Sequence, residues 1–313
     1  MAMSPLNLTG RKGRADAAFR GLALACAGLV LAVLALIAIT MSSRASDALR
    51  VMGLKFFTSS KWSPPDQAFG ALAFIYGTVV SSIIALFLAV PLSVGIALFV
   101  TQVAPAWLKK PVVYVIDLLA VVPSVVFGLW GVLVFSKQLA GFYDSLHRLV
   151  KDVPLLRSLF GQANGRSFFT AGLILAIMII PIVTSLAREV IETCPQTDRE
   201  GALALGATRW EMIRGTVLPH ARNGLIGAVM LGLGRAMGET IAAALVIGSS
   251  PQITANLFAS GDSLPAVIAN QWGEASGTFR SALIALAMTV FLLTLLVNLI
   301  ANAVVSRSTR MAA

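Results

Sequence analysis

Long apolar runs alternate with polar stretches along this chain, and the lengths of the runs predict how it folds. Gly21 to Met41 is an apolar run of 21 residues interrupted only by Thr40. A helix of about 20 apolar residues crosses the hydrocarbon core of a bilayer. The apolar region of a cleavable signal peptide is shorter, about 7–15 residues. The run therefore predicts a retained first transmembrane helix at 21–41. Residues 42–71 are mixed and polar, with Trp62, Pro64 and Pro65, and predict an extramembrane loop with a short interfacial element. Leu72 to Val100 predicts a second span bent near Pro91, because proline removes a helix hydrogen bond and crowds the preceding turn. Lys109, Lys110 and Pro111 predict a short basic turn before a third span at 112–135, bent or broken at Pro123. A fourth span follows at 168–187, a glycine-rich fifth at 223–247 and a sixth at 281–305. The segments 137–166 and 249–279 are expected to be polar loops, and 188–222 a polar segment with helical patterning.

Composition sharpens this into a class. The chain has 313 residues, of which 57% are hydrophobic and 12% charged, about half the charge of a typical soluble domain. A soluble fold would expose more apolar surface than it could cover, whereas lipid removes the need for a polar exterior. The expected fold is an all-α integral membrane bundle of six transmembrane helices.

Charge then sets the topology. The net charge is +10. In a soluble chain that would raise nucleic acid as a partner, but here the basic residues fall mainly in loops and tails, which is the signature of membrane orientation. Six spans place both termini on one side. If that side is cytoplasmic, the inner segments (1–20, 101–111, 188–222 and 306–313) hold 13 Lys and Arg in 74 residues, and the outer segments hold 10 in 94. Density favours that orientation, and no nucleic-acid partner is expected. Cys26 and Cys194 form no disulfide framework or zinc spacing, and His147 and His220 stand alone, so no metal is expected.

Two charged pairs fall at membrane depth or at its edge. Arg235 and Glu239 lie near the middle of the fifth span at i, i+4 spacing, so both side chains share a face and are expected to pair. In one reading the pair only pins helix packing. In the other, the planar donors of Arg235 help an oxyanion across while Glu239 holds the arginine and tunes its charge. Arg188 and Glu189, at the inner end of the fourth span, are a second pair, read either as part of the path or as interface anchors. Gly234 and Gly238 have small-x-x-x-small spacing, as do Gly232 and Ala236. Such residues let transmembrane helices approach closely, and this face is expected to meet a helix of a partner subunit. Pro123 and Gly128 either open the third helix toward a pore or simply kink it. The pattern Gly232-x-Gly234-x-x-x-Gly238 has the wrong spacing for dinucleotide binding, and no strand precedes it.

The segment 188–222 reads as two short helices joined at Gly206, with Trp210, Ile213 and Val217 restarting an apolar stripe. On physical grounds it is either a docking element or an amphipathic connector on the membrane surface. Its wording resembles the EAA loop of ABC importer permeases. Glu200, Ala202, Gly206, Leu218 and Pro219 match at the expected spacing, Gly201 replaces the first alanine, and Thr216 stands where isoleucine is usual. Further stretches resemble PstC-type phosphate permeases: Phe69 to Thr78, Val122 to Gly131, Ala202 to Glu211 and Gly232 to Thr240. The resemblance runs from about Trp62 to Val305 and is weak in 136–166.

That resemblance implies a type I ABC importer permease fold and a role as the non-catalytic permease subunit of a phosphate importer. It implies a heterodimer with a PstA-type permease, two copies of a PstB-type ATPase, and a PstS-type phosphate-binding protein outside. The helix at Glu200, Gly201, Ala202 and Gly206 would couple to the ATPase, and Arg235 and Glu239 would serve translocation. The chain has no G-x-x-x-x-G-K-[ST] phosphate loop, so no cofactor is expected on it, and ATP with magnesium belongs to the partner ATPase. The EAA loop alone also fits permeases for sulfate, molybdate or an amino acid. A secondary transporter or channel working alone is the rival from another class.

Overall fold

The computed structural model describes residues 11–150, 152–161 and 165–310. The outermost parts of the two expected tails, 1–10 and 311–313, lie outside the described residues.

The first helix, α1 (Arg11–Met52), is longer than the apolar run that predicted it. Nothing between Arg44 and Met52 breaks a helix, so the polar stretch read as loop continues it and buries Ala45 and Ala48 completely. Gly53 ends the helix with φ +56, a left-handed turn that glycine adopts without steric cost, and its N–H bonds Leu49 O at 2.7 Å. After the short α2 (Lys55–Thr58), a hairpin forms from β1 (Trp62–Ser63) and β2 (Ala68–Phe69), pairing Trp62 with Phe69. Trp62 packs edge-on against Phe74 at 5.0 Å and donates from Nε1 to Gln271 Oε1 at 2.9 Å.

α3 (Leu72–Leu98) runs through Pro91 and ends in a π-helical turn at Phe99–Val103. The basic turn expected at Lys109–Pro111 is not there. Pro105, extended at ψ 155, makes the turn instead, and α4 (Ala106–Val121) contains all three residues. The third span breaks at Val122–Pro123, where both residues are extended, as a residue before proline prefers. α5 (Ser124–Trp130), a π turn (Gly131–Phe135) and α6 (Ser136–Val150) then follow without interruption. Much of the polar loop expected at 137–166 is therefore helix, completed by α7 (Pro154–Leu159). Tyr143 of α6 is wholly buried, stacks on Phe258 at 4.1 Å and hydrogen-bonds Thr170 at 2.8 Å.

α8 (Phe168–Glu192) is the most buried span, with Ser167 accepting from Thr170 N–H as its N-cap. Beyond it come α9 (Gln196–Ala204), α10 (Arg209–Met212), a π turn (Ile213–Val217), α11 (Leu218–Gly238), α12 (Ile241–Val246), α13 (Leu264–Gln271) and α14 (Gly277–Arg310). α8 packs along both α3 and α11, and α14 packs along α1.

Among the described residues, five helices are long and apolar enough to cross a membrane: 16–52, 72–103, 124–150, 168–192 and 277–301. The expected fifth span, 223–247, is not one of them as a continuous helix, because the chain leaves helical geometry at Glu239, with ψ 124. The residues of that expected span are divided between α11 and α12. One end of the bundle holds the hairpin, Phe74 and α13 in a single apolar cluster. At the other end, Ala97, Ala187, Ile191, Met212, Ile213 and Val217 close a second cluster.

Candidate functional site

Two separate regions hold most of the residues singled out from the sequence, and Arg188 and Glu189 lie apart from both. The first is the α9–α10 pair. α9 ends in a Schellman motif: Gly206 has φ +88 and bonds from its N–H to Leu203 O at 3.0 Å, while Ala207 N–H bonds Ala202 O at 3.2 Å. α10 starts two residues later with a capping box, in which Thr208 and Glu211 bond each other's backbone N–H groups. Those bonds hold the Glu211 carboxyl below its usual range. The two helices are thus joined through an ordered turn at Gly206. Arg199 locks the pair to the span before it, donating from Nη2 to the carbonyls of Ile191, Glu192 and Cys194 at 3.2, 3.3 and 2.6 Å. Arginine beside the last carbonyls of a helix satisfies them and suits the helix dipole. The sequence reading missed this role, although a basic residue a few positions beyond a helix end was the available signal.

The apolar stripe expected from Trp210, Ile213 and Val217 divides in two. Ile213 and Val217 are buried against Ala187 and Ile191, whereas Trp210 points away and is 62% exposed. Leu203 and Leu205 are exposed beside it, Leu205 at 91%. Glu200 and Gly201 are exposed and Ala202 half-buried, with Glu200 accepting from Gln196 Nε2 at 2.6 Å. Gly206 meets open space where a Cβ would stand.

The second region is the break in the fifth span. Arg235 and Glu239 do not form the expected pair. Among the described residues the ion pair within 4 Å is Lys61–Asp66. The i, i+4 argument assumes a continuous helix, and α11 stops between the two residues. Glu239 instead turns back on α12 and accepts from Ala242 N–H at 3.3 Å. Arg235 sits in the last turn of α11, exposed on the chain's own surface. It shares that face with Gly227, Leu231 and Gly238, which are also exposed.

The two small-residue spacings also separate. Gly232 packs inward, where a Cβ would come within 2.7 Å of Val183 Cγ2, and Ala236 is 4% exposed. That stripe serves contact within the chain, not the outer face expected of it. A Cβ at Gly234 or Gly238 would meet nothing within 4 Å. Gly128 lies against α12, where a Cβ would stand 3.0 Å from Ala242 Cα, so the parts of the third and fifth spans beyond their breaks pack together. Pro123 marks one break and Glu239 the other.

Arg188 is half-buried and Glu189 exposed. Arg188 lines a small crevice with the exposed Asp117 of α4 and with Thr184, whose hydroxyl is buried without a partner. Asp117 was also missed; a lone acid inside the apolar run 112–135 was its signal.

Comparison with known proteins places this arrangement. Residues 89–310 match the family described as binding-protein-dependent transport system inner membrane component. The chain belongs to that family. Members similar over most of this chain include the phosphate transport system permease protein PstC of Xylella fastidiosa, 42% identical over 96% of this chain and 93% of the relative. The protein of the same name from Haemophilus influenzae is 40% identical over 89% of each. Among solved structures, a bacterial ABC transporter importing alginate matches with TM-score 0.58 and 16% identity, over 94% of this chain and 99% of the other. The MetNI methionine transporter, in an inward-facing form, matches at 0.56 and 14%, over 79% and 99%. At those identities the likeness shows the fold, that of an ABC importer permease. Family membership agrees with a transport permease that is not itself a catalyst.

Proposed function

We propose that this chain is the transmembrane permease subunit of an ATP-driven importer that carries inorganic phosphate across the inner membrane into the cytoplasm. The observation that carries the reading is the 42% identity to a phosphate permease over nearly the whole of both chains. The geometry supports it at two points. Leu203, Leu205 and Trp210 offer an exposed apolar surface on a rigid helix pair, the form expected of an element that docks in a groove of an ATPase subunit. Ile213, Val217 and the Arg199 clamp tie that pair to α8 and α3. A push on α9 is thus delivered to the spans as a rigid-body movement.

In this reading the open α11 face, with Gly227, Leu231, Arg235 and Gly238, meets a second permease of PstA type, and the path for phosphate follows that seam. Arg235 supplies the planar donors that a bare oxyanion needs at membrane depth. Its charge is balanced by phosphate instead of Glu239, which caps α12. A PstB-type ATPase dimer hydrolyses ATP with magnesium, and a PstS-type binding protein delivers phosphate at the hairpin end. Both termini and α9–α10 are cytoplasmic. The test is uptake of labelled phosphate in a strain lacking this gene. Uptake should fall to background and return with the plasmid-borne gene. Normal phosphate uptake in the deletion strain, or loss of sulfate uptake in its place, would defeat the reading.

A further inference from the structure

A groove of about 590 Å³ runs between α3 and α11. Its walls are aliphatic, with Val90 and Val94 on one side and Leu225 and Val229 on the other. The polar contributions are two guanidinium side chains, Arg214 and Arg222, and no acidic residue lines it. Arg214 lies in the π turn that joins α10 to α11, and Arg222 lies in α11 itself. Eight residues separate them, about two turns, so they rise along one side of the same helical rod. Both are exposed, at the end of the bundle that carries α9 and α10.

From this placement we infer that the groove is a binding site for an anionic phospholipid of the cytoplasmic leaflet. The phosphodiester lies between Arg214 and Arg222, and an acyl chain lies along the aliphatic walls. Basic pockets between transmembrane helices on the cytoplasmic side suit anionic headgroups, and guanidinium forks onto phosphate oxygens. The shape selects the source. A free phosphate gains nothing from walls of valine, leucine and methionine, whereas an acyl chain fills them. The partner permease is not the expected occupant. Val229 and Gly227 lie roughly 160° apart around α11, so the groove and the open glycine face look in different directions. The headgroup sits at the joint between the coupling helices and the fifth span. A π turn at such a joint is a common mark of a functional site.

The inference rests on the proposed function only for which end is cytoplasmic, and its test does not read phosphate uptake. The assembled transporter is purified from nanodiscs of equal phosphatidylglycerol and phosphatidylcholine, and its retained lipid is measured by native mass spectrometry. Phosphatidylglycerol should be retained about tenfold over phosphatidylcholine. The preference should vanish in R214Q/R222Q, persist in part in R214K/R222K, and be lost along with the lipid in V229W, which fills the groove with both charges intact. Retention blind to the headgroup, or unchanged in both R214Q/R222Q and V229W, would overturn the inference. Displacement by millimolar inorganic phosphate would reassign the guanidiniums to substrate in transit. Disulfide capture of I226C by a cysteine on the second permease would reassign the groove to protein.

Discussion

The two faces of α11 are built from the same kind of residue and do opposite things. On one face Gly232 brings α11 so close to α8 that a side chain there would overlap Val183, and Gly224, one turn before Gly227, meets Val190 in the same way. On the other, Gly227, Gly234 and Gly238 look into open space around Arg235. Small residues on a transmembrane helix mark close approach, but they do not say whether the neighbour is in the same chain. The first face is finished by this chain. The second is open in this chain, and under the proposed function it meets the second permease. The same division holds for charge: Asp262 is buried in the finished interior at the hairpin end with a backbone N–H as its hydrogen-bond donor, while Arg235 is exposed.

The largest expected effect separates the faces directly. Gly232→Leu forces a side chain into Val183, and overpacking of this kind costs about 1–3 kcal/mol or more. It should lower the thermal stability of the isolated chain in detergent and its folded yield. Gly227→Leu should leave both unchanged and reduce only co-purification of the second permease. Equal loss of stability in the two variants would erase the distinction.

Asp262 offers the next test, on the finished side. Burial pushes its carboxyl from 3.8 up to about 7, and the Ser263 N–H only partly offsets this. The folded protein therefore holds it neutral where the unfolded chain ionises it. Its contribution is most favourable below about pH 4 and declines as pH rises toward 7. From pH 5 to 8 the decline is on the order of 3 kcal/mol. Asp262→Asn should flatten this dependence, seen as hydrogen exchange of residues 262–271 at the two pH values. An identical pH profile in the variant would show the carboxyl is not desolvated.

On the open side, Arg235→Ala should lower phosphate uptake about tenfold or more, the equivalent of one charge-assisted hydrogen bond, with stability unchanged. Glu239→Gln, which keeps an acceptor for Ala242 N–H, should cost far less. Similar losses from the two would restore a working ion pair.

The smallest effect concerns the turn. Gly206→Ala places a Cβ at φ +88, a strain of about 1 kcal/mol. It should weaken ATPase co-purification a few-fold, because the space around it is open and only the backbone objects. Gly201→Ala, inside α9, should leave docking intact or tighten it slightly.

Much of this molecule was legible in its hydrophobic pattern, and the misreadings share one cause. The runs at 72–100, 168–187 and 281–305 are long and apolar, and each lies within one helix or a helix and its π turn. The turn at Gly206 was legible because glycine takes backbone angles that other residues avoid, while the Thr208–Glu211 capping box beside it was not read. Residues 42–52 and 137–150 have the polarity of loops. They are helical because tertiary contacts cover Ala45, Ala48 and Tyr143. The Arg235–Glu239 pair was inferred from spacing that holds only in an unbroken helix, and no proline announces the break at Glu239.

By itself the sequence determined that this chain lives in a bilayer, roughly where it crosses, and that a helix pair within 188–222 turns at a glycine. Those properties depend on hydrophobicity and local backbone chemistry, which are read a few residues at a time. Only the tertiary structure decided which glycines face inward, that Glu239 caps α12 in place of pairing with Arg235, and that two arginines share a groove with α3. Those outcomes depend on which surfaces meet across the bundle, and contact between distant segments leaves no period in the sequence that forms it.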